Sequence, residues 1–223
     1  MIRGINLHNN HCALEIDDAL WQKFGEQESL SEQQLDQFKR YFFLLCSWNE
    51  KFNLTTITKQ SSVIRDHFQD SLALGKFFDL TTIKALADVG TGAGFPGVAL
   101  KIKYPALRVY LLEVNTKKVQ FLNMLIEQLA LDGIEVIDLD WRTFLRKSGY
   151  AIDLFVARAS LQPEELLRIF SPHWGHADAQ LVYWASDTWV PRGNERDLLY
   201  KKESYQLGQK QRKLVFFKKK ESH

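Results

Sequence analysis

Three glycines at alternate positions, Gly90, Gly92 and Gly94, follow a short apolar run (Leu86, Ala87, Val89) that carries one acid, Asp88, near its end. Alternate glycines let a backbone turn tightly and let a ligand come close, because no Cβ stands in the way. Thr91 and Phe95 lie in the same turn, and Pro96 sits where a helix would begin, a place that tolerates its missing N–H. Strand, glycine turn and helix together make a nucleotide-binding corner. Arg108–Glu113 reads as the next strand. It ends in a carboxylate about 20 residues beyond the turn, where ribose hydroxyls are held. Glu113 either accepts two hydrogen bonds from a diol or is an exposed strand-end glutamate.

Asp88 discriminates between possible ligands. A dinucleotide brings a pyrophosphate to such a turn, and an adjacent carboxylate would repel it. S-adenosylmethionine has no phosphate; its sulfonium and ammonium welcome a nearby carboxylate. The expected cofactor is therefore S-adenosyl-L-methionine, held by Asp88, Gly90, Thr91, Gly92, Gly94, Phe95 and Glu113. Gly92-Ala93-Gly94-Phe95-Pro96-Gly97 also fits the G-x-G-x-x-G frame, which on its own keeps a nicotinamide dinucleotide open.

Further candidates stand at the ends of later strands. Arg158 closes the apolar run Ile152–Ala157, where its guanidinium could bind phosphate or the acceptor edge of a guanine, or pair with Glu164 or Glu165. Asp140 and Trp141 end the third strand. They would line an adenine pocket, one accepting from the exocyclic amine and one stacking, unless Trp141 belongs to the core. His8, His11 and Cys12, like His173 and His176, lack the fourth ligand a metal site needs, so no metal is expected. No G-x-S-x-G elbow is present.

The elements that must position these residues alternate from Lys84 onward. Strands are expected at 85–89, 109–113, 134–139, 153–157, 180–184 and 214–218, and helices at 96–103, 116–131, 163–170 and near 195–200. Such alternation predicts an α/β, Rossmann-like fold, a mostly parallel sheet with helices on both faces and ligand at the carboxyl ends of its strands. Residues 1–80 read as an N-terminal helical extension and 81–223 as the cofactor-binding domain. In the extension, Ser31-Glu32-Gln33-Gln34 is a capping box that starts a helix running to about Trp48, and 63–78 reads as a second.

Composition sets outer bounds. The 223 residues are 45% hydrophobic, enough for one substantial core. No apolar stretch approaches the ~20 residues that span a bilayer, and the N-terminal residues lack an apolar signal core. Cys12 and Cys46 read as thiols of a reducing cytosol, and nothing requires a dimer, so a cytoplasmic monomer is expected. The net charge of +2 hides a polarity: seven acids lie between Glu15 and Asp36, against nine Lys and Arg from Arg196 to Lys220. The basic part, including Lys213, Lys218, Lys219 and Lys220, points to a polyanion such as RNA, or else to a solvated edge strand.

Several of these segments together resemble the bacterial 16S rRNA guanine-N7 methyltransferase G family, also called glucose-inhibited division protein B. Trp48-Asn-Glu-Lys-Phe-Asn-Leu-Thr55 is similar to its W-N-x-x-x-N-L-T segment, and His67-Phe-Gln-Asp70-Ser71 to its H-x-x-D-S segment. Asp88–Gly97 resembles its D-V-G-T-G-x-G-x-P-G signature, Leu112-Glu113 with Lys117–Leu122 its next strand and helix, and Ala157-Arg158-Ala159 its R-A strand end. The resemblance covers roughly 41–159 and 212–215. It implies S-adenosylmethionine-dependent methylation of guanine N7 in a 16S rRNA loop, with rRNA or the small ribosomal subunit as partner. It further implies that Arg142, Arg158 and Arg212 lie around cofactor and RNA, with Arg158 binding guanine O6 as the catalytic group. Two departures bear on substrate positioning. Ser171–Ala177 replaces the family's L-K-P-G-G turn, and Trp184-Ala185-Ser186 stands where a lysine is usual. A methyltransferase of the same fold acting on a small molecule or a protein, and a silent RNA-binding relative, are the alternatives.

Overall fold

The computed structural model describes residues 16–147, 149–171, 176 and 178–219. His8, His11, Cys12, His173, Lys220 and most of the 171–177 departure lie outside them. Seven strands form one sheet: β1 (Ala85–Val89), β2 (Arg108–Leu112), β3 (Ile134–Ile137), β4 (Leu154–Arg158), β5 (Gln180–Ser186), β6 (Leu199–Leu207) and β7 (Lys210–Phe217). Their order is β3-β2-β1-β4-β5-β7-β6. The first five strands are parallel, and β7 runs antiparallel to both β5 and β6. Chain direction across the sheet reverses between β1 and β4, so the carboxyl ends of those two strands flank the crevice where open sheets bind ligands.

Strand period divides the core in two. Leu86, Val109, Leu111, Val156, Val182, Leu214 and Phe216 face one way. Ala85, Ala87, Val89, Tyr110, Phe155, Leu181, Val215 and Phe217 face the other. On the first side lie α1 (Asp18–Gln27), α2 (Glu32–Phe52), α5 (Gly97–Lys103) and α6 (Thr116–Gln128), with Trp21, Phe24, Phe38 and Phe42 in one cluster with the sheet. On the second lie α7 (Trp141–Lys147) and α8 (Pro163–Leu166). The central strands are covered on both faces, as parallel strands require.

Ser31 caps α2 with the reciprocal Ser31–Gln34 bonds of a capping box, and the helix runs on to Phe52, beyond the expected end. The next helical stretch is not uniform. It passes from α3 (Gln60–Val63) through a π segment, Ile64–Gln69, to α4 (Asp70–Leu72) and a 3-10 turn, Ala73–Lys76. A π segment re-aims side chains by widening the turn, and this one carries Asp66 and His67.

Three elements differ from expectation. Helix α1 carries no strong sequence signal yet buries Trp21 and Phe24. Strand β6 was expected as a short helix near 195–200, which ends at Leu198 as α9 (Glu195–Leu198). Its residues Lys201, Lys202 and Glu203 look like loop, but burial alternates along the strand because it forms the sheet's edge. Along that edge Lys201 sends its ammonium to Phe77 O at 2.8 Å. Finally, Asp140 does not end a strand. It starts α7, accepting at 3.0 Å from Thr143 N.

Candidate active site

The glycine turn leaves β1 at its carboxyl end. Asp88 is fully buried beneath it, and its Oδ2 accepts from Thr91 Oγ1 at 2.6 Å and from Gly97 N at 2.7 Å. Burial pushes its carboxyl up to about 6, against the lowering effect of those two donors and Arg158. Asp88 therefore holds the turn from inside rather than lying exposed beside a ligand. Its Oδ1 is buried with no partner among the described residues. Thr91, 2% exposed, is committed to the same bond. Phe95 is likewise internal, sandwiched between the rings of Tyr41 at 5.1 Å and His67 at 4.4 Å, both nearly parallel to it. These three residues are buried behind the turn and brace it.

The outer face is different. Gly90 has a φ of +67°, and a Cβ there would lie 2.6 Å from Ser160 Cβ. Only glycine meets both demands. At Gly92, with φ +63°, a Cβ would meet no heavy atom within 4 Å. The floor of the turn is open there, and a bound group can rest against the backbone. Glu113, 8% exposed, reaches across from the end of β2: Oε2 accepts from Gly92 N at 3.0 Å, and Oε1 from Val114 N at 3.0 Å and Asn115 N at 2.9 Å. A carboxylate offers about four acceptor sites, so a diol would share or displace the Gly92 bond. Val114, 56% exposed, gives the same corner an apolar flank. An open glycine floor, a strand-end carboxylate and an apolar flank fit a nucleoside. An orphaned buried carboxylate oxygen fits a ligand with positive charge.

The two residues expected at an adenine pocket stand at the start of α7. Trp141 is core: it donates Nε1–H to Glu165 O at 3.1 Å and packs edge-on against Phe155. Both carboxylate oxygens of Asp140 are taken by Thr143, through its N–H and its hydroxyl.

Arg158 pairs with neither Glu164 nor Glu165. It runs back to Asp70, Nη1 to Oδ2 at 2.9 Å, and donates weakly to the carbonyls of Asp66 and His67. Its side chain is 9% exposed, and Asp70 holds its guanidinium within the protein. Asp70 also receives Arg212 at 3.2 Å and the Tyr205 hydroxyl at 2.6 Å. The H-x-x-D-S segment thus supplies the acid that binds two arginines from β4 and β7. Of the remaining basic residues, Arg142 is forked onto Glu165, Lys213 is bound to Asp187, and Lys218 lies over the Tyr200 ring. Lys219 is exposed. Among the described residues no group of three His, Cys, Asp or Glu is placed to hold a metal, and no helix is long and apolar enough to cross a membrane.

His67 and Asp88 give stability opposite pH dependences. Burial first, and Arg158 second, pull His67 down to about 4 from 6.5, so its contribution is lost as pH falls from about 6.5 to about 4. Asp88 is raised from 3.8 to about 6, so its contribution weakens as pH rises over nearly the same window. The two largely cancel in the wild type. In His67→Gln, stability from urea unfolding should rise relative to wild type by on the order of 3 kcal/mol on going from pH 6.5 to 4. In Asp88→Asn it should fall by a similar amount. Parallel pH curves for the three proteins would contradict this assignment.

Residues 34–222 match the model of the family described as rRNA small subunit methyltransferase G. The ribosomal RNA small subunit methyltransferase G of Exiguobacterium sibiricum is 45% identical over 105 residues, 47% of this chain and 44% of that protein. That of Halalkalibacterium halodurans is 44% identical over 133 residues, 59% and 56% of the two. The chain thus spans about half the length of the curated relatives it matches. In fold it is similar to a putative methyltransferase from Escherichia coli, with TM-score 0.53 at 16% identity over 68% of this chain and 87% of that one. The human methyltransferase 10 domain containing protein is similar too, with TM-score 0.54 at 14% identity over 81% and 96%. With nearly all of its described length inside the family match, this chain belongs to the rRNA small subunit methyltransferase G family.

Proposed function

We propose that this chain methylates N7 of a guanine in a loop of 16S ribosomal RNA, with S-adenosylmethionine as donor and the small ribosomal subunit as partner, in the cytoplasm. The observation that carries this reading is the open floor at Gly92 beside the Glu113 carboxylate, at the carboxyl edge of a methyltransferase-like sheet. Gly90, Gly92 and Glu113 would hold the cofactor, which when bound supplies an electrophilic methyl group on a sulfonium. Glu113 would take the ribose diol.

Guanine N7 carries a free lone pair and no proton, so the reaction asks no general base of the protein. The site agrees: Asp88 and Glu113 both accept backbone N–H bonds and neither is poised to remove a proton. What the chain supplies is alignment, which is worth on the order of 7–11 kcal/mol of a barrier. Transfer of tritiated methyl to small subunits lacking the modification tests the proposal. Label in a 16S guanine is expected; label in protein alone, or none, would overturn it.

RNA affinity would come from phosphate contacts on the basic C-terminal part. Replacing Lys218, Lys219 and Lys220 together by alanine should flatten the log–log dependence of binding on salt by about two. An unchanged slope would assign them to solvation. Arg212 is a poor probe of RNA contact, because any change there also disturbs Asp70.

A further inference from the structure

A cleft of about 720 Å³ opens between the ends of β4 and β5, lined among others by Gln162, Glu164, Ser186, Trp189, Arg192 and Asn194. Its volume lies within the range of small-ligand sites. It adjoins the glycine turn: Gln162 follows Ser160 by two residues, and the Ser160 Cα lies 3.8 Å from the Cβ position of Gly90. At this junction the Ser160 hydroxyl is buried with no partner among the described residues. The cleft therefore lies on the β4 side of the crevice, with the turn and Glu113 on the other.

The lining has a definite chemistry. Among the described residues the exposed Glu164 carboxylate makes no hydrogen bond or ion pair, whereas its neighbour Glu165 holds both Arg142 and Arg168. Trp189 is half-buried and braced edge-on against Phe217, with ring centroids 6.2 Å apart. Arg192 is exposed at the rim, its backbone N–H tied to Glu195 at 2.7 Å. Splayed RNA bases are read by stacking on aromatic rings and by hydrogen bonds to the Watson–Crick edge. Guanine presents two adjacent donors on that edge, N1–H and N2–H, which match the two oxygens of one carboxylate. Adenine presents an acceptor at N1 and cannot make this pair.

We propose that this cleft is the acceptor-base site, in which Glu164 binds the N1–H and N2–H of the target guanine, Trp189 stacks on it and Arg192 meets its phosphate. Holding guanine by N1–H and N2–H leaves N7, on the Hoogsteen edge, unobstructed. Base selection then follows from Glu164 rather than from Arg158, whose guanidinium is occupied by Asp70. This assignment rests on the function proposed above.

The test is methyl transfer to unmodified small subunits assembled with guanosine or inosine at the target, since inosine lacks the N2 amine. For the wild type, kcat/KM should fall about tenfold with inosine. Glu164→Gln should lower transfer to guanosine about 10- to 100-fold and abolish the inosine penalty. Its affinity for S-adenosylmethionine, measured by calorimetry, should stay within about twofold of wild type. Trp189→Ala should lose about tenfold or more, and Trp189→Phe should recover most of it. Wild-type rates in Glu164→Gln, a full inosine penalty in that variant, or parallel loss of cofactor binding would each overturn the assignment. Those outcomes leave methylation by the wild type intact; absence of any wild-type transfer would instead overturn the proposed function and this site with it.

Discussion

Asp70→Ala is expected to destabilise the folded chain by about 3–5 kcal/mol, the cost of removing one partner from a buried ion pair. Asp70 is 1% exposed and is the acceptor for Arg158, Arg212 and the Tyr205 hydroxyl. Its removal strands a guanidinium that is itself 9% exposed, in a chain whose total stability is expected to be about 5–15 kcal/mol. Asp70 sits where α4 leaves the π segment, Arg158 at the end of β4 and Arg212 in β7, so the N-terminal helices, the crevice and the C-terminal hairpin would loosen together. Asp70→Asn keeps an acceptor and should cost less. Urea unfolding followed by circular dichroism measures both. A loss below about 1 kcal/mol for Asp70→Ala would mean that water reaches the two arginines and that the network contributes little.

Glu113→Ala is expected to weaken binding of S-adenosylmethionine by at least about 100-fold. Two hydrogen bonds from a diol to a carboxylate contribute about 1.5–3 kcal/mol each. The variant also leaves the backbone N–H groups of Gly92, Val114 and Asn115 without the acceptor that orders them. Glu113→Gln, which retains one oxygen, should lie between. Calorimetric titration of the three proteins checks this order, with unfolding curves to show that each is folded. Affinities within threefold of one another would remove Glu113 from the cofactor site.

What could be read from the sequence was what depends on near neighbours. The turn from Asp88 to Gly97, the capping box at Ser31 and the span of β1 are set by residues within about ten positions, and the structure has all three. The burial of Asp88, Thr91 and Phe95 was not readable, because a motif gives residue types without saying which side of the backbone they pack on. Arg158 shows the larger gap. Its partner lies 88 positions earlier, and Asp70 meets Tyr205 and Arg212 across 135 and 142 positions. No periodicity encodes such contacts, although His67 and Asp70 stood in a segment already singled out by resemblance. Strand β6 was missed for another reason: an edge strand with one solvated face has the composition of a loop. Asp140, read as a strand end, is instead the acceptor that starts a helix, and Trp141 lies in the core, one of the two places its residue type allowed.

The carboxylate-lined glycine turn is expected to take a positively charged methyl donor and to reject a pyrophosphate. Calorimetric titration of the intact protein with S-adenosylmethionine and, separately, with nicotinamide adenine dinucleotide tests it most directly. Saturable binding of S-adenosylmethionine at one site per chain, with no heat from the dinucleotide, is the predicted result. Binding of the dinucleotide with none of S-adenosylmethionine would contradict it.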